Sequence, residues 1–392
     1  MPTRSRAGWL DEADLIVSGR ARPERIDQVI PAIIEHDAVS NHTFEAQRLL
    51  REMGFQSEIY ASILGPGTDG RVQRLSELPV LDGGRQWLLY QCSIGSPAAR
   101  VFAEHPGYKL LDYHNITPAA LVERWIPPLA AESRLGRTQL AELAPLVGAS
   151  VADSPYNAAE LVQFGFHNVT VSPVLIDPAN LSATPEPSRL AQLTAAKAAG
   201  GSDWLFVGQI AAHKAQHDVV KAFSCYRRVY DPTARLHLVG REMGHAYRDA
   251  LGRFVDRLGL SRAVDLPGSV SPGELAAYFE TADVFVCCSE HEGYCAPLIE
   301  SMARGVPVVA YAAGAVPDTL GAGGVLLEDK SPAVVASAVS QVLADGALRA
   351  ALVEAGKRQS AEHTLDGARR AFTGAIEAAL ARAAHGGAGS SA

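Results

Sequence analysis

Residues 283–310 read DVFVCCSEHEGYCAPLIESMARGVPVVA, and this order of residue types leaves few choices of fold. Val284 to Cys288 reads as a buried strand. Glu290, His291 and Glu292 follow in a loop punctuated by Gly293 and Pro297, and a short helix carries Glu300. Gly305, Val306 and Pro307 then return the chain to apolar residues 308–310. Strand, polar loop, helix and strand within about 30 residues make one βαβ unit of a parallel sheet. Ligands of such sheets sit beyond the carboxyl ends of the strands, so the loop around Glu292 lies at the functional edge. Pro297 suits the first turn of a helix, where its missing N–H is no loss. The free N–H groups of that turn, with the adjacent glycine loop, offer a pocket for a phosphate or a polar sugar edge.

The same alternation runs through the rest of the chain. Strand signals fall at residues 25–34, 57–60, 86–91, 108–113, 149–153 and 169–176, then at 204–208, 236–240, 263–266, 284–288, 308–310 and 324–327. Helical periods lie between them. Ala46, Leu49, Leu50 and Met53 share one face of a helix predicted from His42 and stopped by Gly54. Ser154 with Pro155, and Ser271 with Pro272, read as N-caps followed by proline at the first helical position. Pro127 and Pro128 interrupt the amphipathic stretch 119–147. The pattern predicts two doubly wound α/β domains. Residues 177–201, rich in Pro, Ala, Ser and Thr, read as the connection. The division expected is an N-terminal domain over 1–178, a linker over 179–200, a C-terminal domain over 201–363, and a last helix and tail over 364–392.

Composition narrows the function. The formal net charge of −8 argues against nucleic acid as a partner. Five cysteines (Cys92, Cys225, Cys287, Cys288, Cys295) show no CxxC and no metal-ligand spacing, so they read as reduced, mostly buried thiols. No apolar run is long enough for a transmembrane segment, and the N-terminus lacks the continuous apolar stretch of a secretory signal. A cytoplasmic location is therefore expected. The arginine-containing residues 1–24 read as a loose extension or an arm on a partner subunit, and the tail HGGAGSSA as flexible. A homo-oligomer is compatible with the sequence, which leaves the oligomeric state open.

Glu292 and Glu300, within EGYCAPLIESMARGVPVVA, are separated by seven residues. This stretch closely resembles the E-x7-E signature of retaining glycosyltransferases of family 4 (group 1), written roughly EGFGLPLLEAMA-x-G-x-PV. LLYQCSIGSP and LDYHNITP further resemble a mannosyltransferase-like subgroup. The resemblance is firm over residues 200–330, moderate over 86–178 and faint at the termini. It implies a GT-B fold, two Rossmann-like domains facing across a cleft, with the final helix crossing back onto the N-terminal domain. It implies transfer of a hexose, mannose from GDP-mannose first and glucose from UDP-glucose second, from a nucleotide diphosphate sugar to a saccharide or glycoside acceptor.

By the same resemblance, Lys214 pairs with the diphosphate, and Gly268 and Val270 hold the base through their backbone. Glu300 accepts from the ribose hydroxyls. Glu292 faces the sugar near the reacting centre, assisted by N–H groups of Gly293, Tyr294, Cys295 and Ala296. His114, just past a strand end, is expected to face the donor sugar as the second catalytic group. No thiol chemistry is expected of Cys295. The fold requires no metal motif and no cofactor, so metal-independent front-side displacement is expected. Two departures matter. Gln209 stands where the family commonly has arginine, replacing a charged bidentate clamp with neutral hydrogen bonds; Arg241 or another cation must then substitute, or phosphate binding is weakened. The first strand-to-helix loop has HDAVSNH in place of a glycine pair. Ser40, Asn41 and His42 either contact the acceptor there or cap the helix.

Alternative readings are a sugar phosphorylase or epimerase of similar architecture, and a non-catalytic sugar-nucleotide-binding protein. A dehydrogenase is disfavoured. The single GxGxxG match, at residues 65–70, opens no helical apolar period.

Overall fold

The computed structural model describes residues 22–34, 37–66, 68, 70–81, 84–175 and 183–386. Expectations for the first 21 residues and for 387–392 lie outside the described residues, as does part of the 65–70 match.

The N-terminal sheet contains β1 (Arg25–Ile33), β2 (Ile59–Leu64), β3 (Gln73–Arg74), β4 (Gln86–Cys92), β5 (Tyr108–Tyr113), β6 (Ala149–Ala152) and β7 (Val169–Val171). Their order is β3-β2-β1-β4-β5-β6-β7, and every pairing is parallel. The second sheet contains β8 (Asp203–Val207), β9 (Arg235–Val239), β10 (Val264–Gly268), β11 (Val284–Cys287), β12 (Val308–Tyr311) and β13 (Val325–Leu327). Its order, β10-β9-β8-β11-β12-β13, repeats the same winding, again all parallel. Each sheet therefore reverses its strand order once, between β1 and β4 and between β8 and β11. In open α/β sheets ligands bind at such a switch point.

Apolar residues fill both faces of each sheet, which is what all-parallel sheets require. In the second domain Trp204, Phe206 and Phe223 pack on one side, and Phe285, Leu298 and Met302 on the other. The helix Leu365–Gly386 returns to the first domain, where Phe372 and Ile376 join Ile26, Leu50 and Trp87 in one core. Arg369 Nη2 fixes its start to Glu52 at 2.6 Å. No single helix among the described residues is long and apolar enough to cross a membrane.

Four expectations are corrected. The first helix starts at Ala38, earlier than His42, because Asp37 caps it by accepting from Ser40 N at 3.1 Å. Pro127 and Pro128 begin the helix Pro127–Leu143, where they cost no hydrogen bond. β7 ends at Val171 rather than 176; Pro173, two residues on, has no N–H to give a ladder. The connection between domains contains the helix Pro187–Ala198, capped by Glu186. Its Leu190 and Leu193 pack beside Ala277 and Tyr278, so alanine and leucine outweigh the loop-like composition.

Candidate active site

The second sheet brings Lys214 and Glu292 together at its switch point. β8 runs through a short loop into the turn Ala212–Lys214, and β11 runs into the loop bearing Glu292. Lys214 Nζ meets Glu292 Oε2 at 2.7 Å, the side chains being 18% and 7% exposed. Burial opposes the Lys214 charge, but Glu292 beside it more than compensates and holds the ammonium above its ordinary value. The pair is preformed, partly dry and still open to solvent on the lysine side.

Backbone geometry fixes the Glu292 loop. Ala315 N donates to Glu292 O at 2.9 Å. Gly314, at φ +56°, lies so close that an added Cβ would stand 2.3 Å from that oxygen. Cys295 takes the left-handed conformation, φ 68° and ψ 59°, and immediately precedes the helix Ala296–Ala303 with Pro297 in its first turn. Tyr294 points inward, its hydroxyl 2.9 Å from His363 Nδ1, so it offers only backbone to a ligand. Glu300 lies in the helix, and burial pushes its carboxyl up to about 7, partly offset by Arg304.

Gly268, at φ +77°, ends β10. Its carbonyl accepts from Gly240 N at 3.0 Å, and Val270 packs against the core beneath. Gln209 follows β8, its carbonyl engaged by Gln216 Nε2 at 2.8 Å. Next to it Arg241 accepts through its carbonyl from Ile210 N at 2.9 Å. The Arg241 side chain is exposed and pairs with no acidic group among the described residues. Its backbone bond to Ile210, the residue after Gln209, sets it beside the place where arginine is missing.

The N-terminal domain grips the same loop through residues that the sequence pattern did not single out for this role. His291 Nε2 donates to Asn115 Oδ1 at 2.6 Å, and Ser154 Oγ donates to Gly293 O at 2.7 Å. Asn115, itself at φ 72°, is oriented by its amide donating to Asn157 Oδ1 at 2.8 Å. Gly293 makes this approach sterically feasible, since a Cβ there would lie 2.6 Å from Asn115 Cβ. Burial lowers the His291 ring below its ordinary value, which leaves it neutral and suited to a single donated bond. The one available signal was position: Asn115 and Ser154 both follow strand ends.

His114 is not presented to the cleft as expected. Its side chain is 2% exposed. Nδ1 donates to Asp153 Oδ2 at 3.0 Å and Nε2 to Gln91 Oε1 at 2.5 Å. Gln91 is oriented for this because its own amide donates to Gln28 Oε1 at 2.8 Å. A ring that donates from both nitrogens is an imidazolium. Burial works against that charge, yet Asp153 and Asp112 outweigh it and raise His114 to about 9.

His42 is also sealed, with Nδ1 accepting from Leu175 N at 3.1 Å and Nε2 bonded to the fully buried Asp112 at 2.9 Å. Ser40 is buried and its hydroxyl accepts from Ile34 N at 3.0 Å. These three therefore hold the loops behind the N-terminal edge in this conformation, and only Asn41 of the acceptor candidates keeps a partly open side chain. Ligand atoms of His42, His114 and Asp153 lie within 4.8 Å of one another. All four ring nitrogens, however, are already bonded to protein.

Residues 196–359 match the family Glycosyl transferases group 1. The D-inositol 3-phosphate glycosyltransferase of Kineococcus radiotolerans is 30% identical over 281 residues, 66% of this chain and 64% of that protein. The MMP alpha-(1->4)-mannosyltransferase of Mycolicibacterium hassiacum is 37% identical over 83 residues, 21% of this chain and 20% of that one. This chain spans about two fifths of the length of several other curated relatives it matches. The crystal structure of Anabaena Alr3699/HepE in complex with UDP and glucose superposes with a TM-score of 0.69 at 14% identity, covering 90% of this chain and all of that one. The fold is thus GT-B.

Proposed function

We propose that this chain, whose residues 196–359 match the group 1 glycosyltransferases, transfers a hexose from a nucleotide diphosphate sugar to a saccharide or glycoside acceptor. The preferred donor is GDP-mannose. The reading rests on the Lys214–Glu292 pair, 2.7 Å apart at a sheet switch point beside a proline-started helix. The name of the Mycolicibacterium relative supports mannose.

In this reading the donor diphosphate takes Lys214 from Glu292. The ammonium then neutralises the charge that develops as the bond from the anomeric carbon to the diphosphate oxygen breaks. Glu292 turns to the sugar hydroxyls, held in place by Gly314 and Ala315. Ionised Glu300 offers two acceptor oxygens to the vicinal ribose hydroxyls. Arg241 supplies the second cation that Gln209 lacks. The acceptor oxygen attacks from the face that the diphosphate leaves, its proton passing to a diphosphate oxygen, so the anomeric configuration is retained. Domain closure through Asn115 and Ser154 excludes water from this step.

The test is turnover of GDP-mannose and UDP-glucose with a panel of glycoside and polyol acceptors, with and without chelator, the product anomer being read by NMR. An α-mannoside formed from GDP-mannose in chelator supports the reading. Exclusive use of UDP-glucose moves the assignment to a glucosyltransferase. Turnover with inorganic phosphate and no nucleotide replaces it with a phosphorylase.

A further inference from the structure

Cys295 carries a side chain in left-handed backbone at the loop that holds Glu292. Cys287, at the end of β11, lies opposite it. The two sulfurs and a Glu292 carboxylate oxygen all lie within 4.8 Å of one another. Cys287 is 1% exposed, Glu292 6% and Cys295 8%. Ser289 Oγ stands 3.3 Å from Cys287 Sγ, ready to support it as an outer partner.

We propose that Cys287, Cys295 and Glu292 form a site for a soft divalent cation, Zn²⁺ being the type, whose occupancy withdraws Glu292 from Lys214 and shuts the loop to the donor. Two sulfurs on one tetrahedral zinc stand about 3.8 Å apart, from Zn–S bonds of about 2.3 Å. The present spacing needs a closure of about 1 Å at most. Thiolate pairs select soft ions over Mg²⁺ or Ca²⁺. Binding releases both thiol protons to solvent as two metal–sulfur bonds form. Two thiolates and a carboxylate leave one negative charge beyond those the ion balances, and the neighbouring Lys214 ammonium offsets it. Three protein ligands leave a fourth position open, as in exchangeable rather than purely structural zinc sites. The consequence for donor binding rests on the function proposed above; the site itself does not.

The test uses the full chain, reduced with a phosphine, titrated with Co²⁺ and back-titrated with Zn²⁺. The wild type is expected to show a thiolate-to-cobalt charge-transfer band saturating at one equivalent and bleached by Zn²⁺. Cys295→Gly, which suits the left-handed backbone and so keeps the fold, should lose that band. Its affinity should fall by more than the about 10–100-fold that loss of an outer-shell partner costs. Cys287→Ala should behave alike. No band in the wild type, or an undiminished band in Cys295→Gly, overturns the proposal. Turnover is followed in parallel. Zn²⁺ inhibition that tracks the cobalt titration supports both readings. A full band with undiminished turnover upholds the metal site and removes Glu292 and Lys214 from the donor site.

Discussion

The two sheets share one winding, yet their carboxyl edges differ in what their polar groups are doing. At the second edge, charge is held ready. Lys214 and Glu292 are bonded to each other, Glu300 is pushed towards its neutral form by burial, and the Arg241 side chain stands exposed. At the first edge the polar groups are spent on one another: Gln28, Gln91, His114 and Asp153 form one sealed chain of hydrogen bonds, and His42 bonded to Asp112 packs its ring against His114 beside it. The lesson is that a polar residue at a strand end marks an available position, and only its partners decide whether it is free for a ligand. The first edge still reaches the active site, through the neutral contacts of Asn115 and Ser154 with the Glu292 loop.

This contrast is broken most severely by Asp112→Ala. It leaves the His114 imidazolium without one of its two buried counter-charges, and loss of one partner of a buried ion pair costs about 3–5 kcal/mol. A lowered urea midpoint should show it, with donor affinity little changed. The same network sets a pH dependence. His114, raised from 6.5 to about 9, contributes stability that is full below pH 6.5 and is lost as pH rises through about 9. Asp112→Ala should weaken that dependence. Lost turnover at unchanged stability would instead place the network in contact with substrate.

A smaller effect sharpens the second edge. Glu300 holds its proton to about pH 7, and a donor that needs the carboxylate should bind more tightly as pH rises through that value. Donor KM should fall by about tenfold between about pH 6 and pH 8, since only the ionised fraction binds. Glu300→Gln should flatten this profile; an unchanged slope would take the ribose away from Glu300. The smallest effect belongs to Arg241→Ala. An exposed ion pair contributes about 0.2–1 kcal/mol, so KM should rise up to about fivefold, more at low salt. A salt-independent KM in both proteins would remove Arg241 from the diphosphate.

Much of this arrangement was legible in the sequence. Apolar runs separated by glycine, proline and capping residues located nearly every strand, and Ser271 caps its helix with Glu274 answering as a capping box. The crossing-back helix was placed by resemblance and is held by Phe372. The parts that were not legible depend on long-range pairing. Asp37 overrides the apolar period that pointed to His42. Nothing near His114 announces that Asp153, 39 residues away, consumes it. The left-handed backbone of Asn115, which aims its amide across the cleft, has no local signature beyond asparagine itself. Cys295 hides a glycine-like conformation behind a side chain.

In the proposed function Lys214 binds the donor diphosphate in place of Glu292. Calorimetric titration of GDP and UDP into the wild type and Lys214→Ala tests it most directly. One nucleoside diphosphate should bind the wild type, and Lys214→Ala should bind it about 100–1,000-fold more weakly, the scale of a preorganised charge contact of about 2.7–4 kcal/mol. A Lys214→Ala protein that is folded and binds the same nucleotide as tightly as the wild type would contradict it.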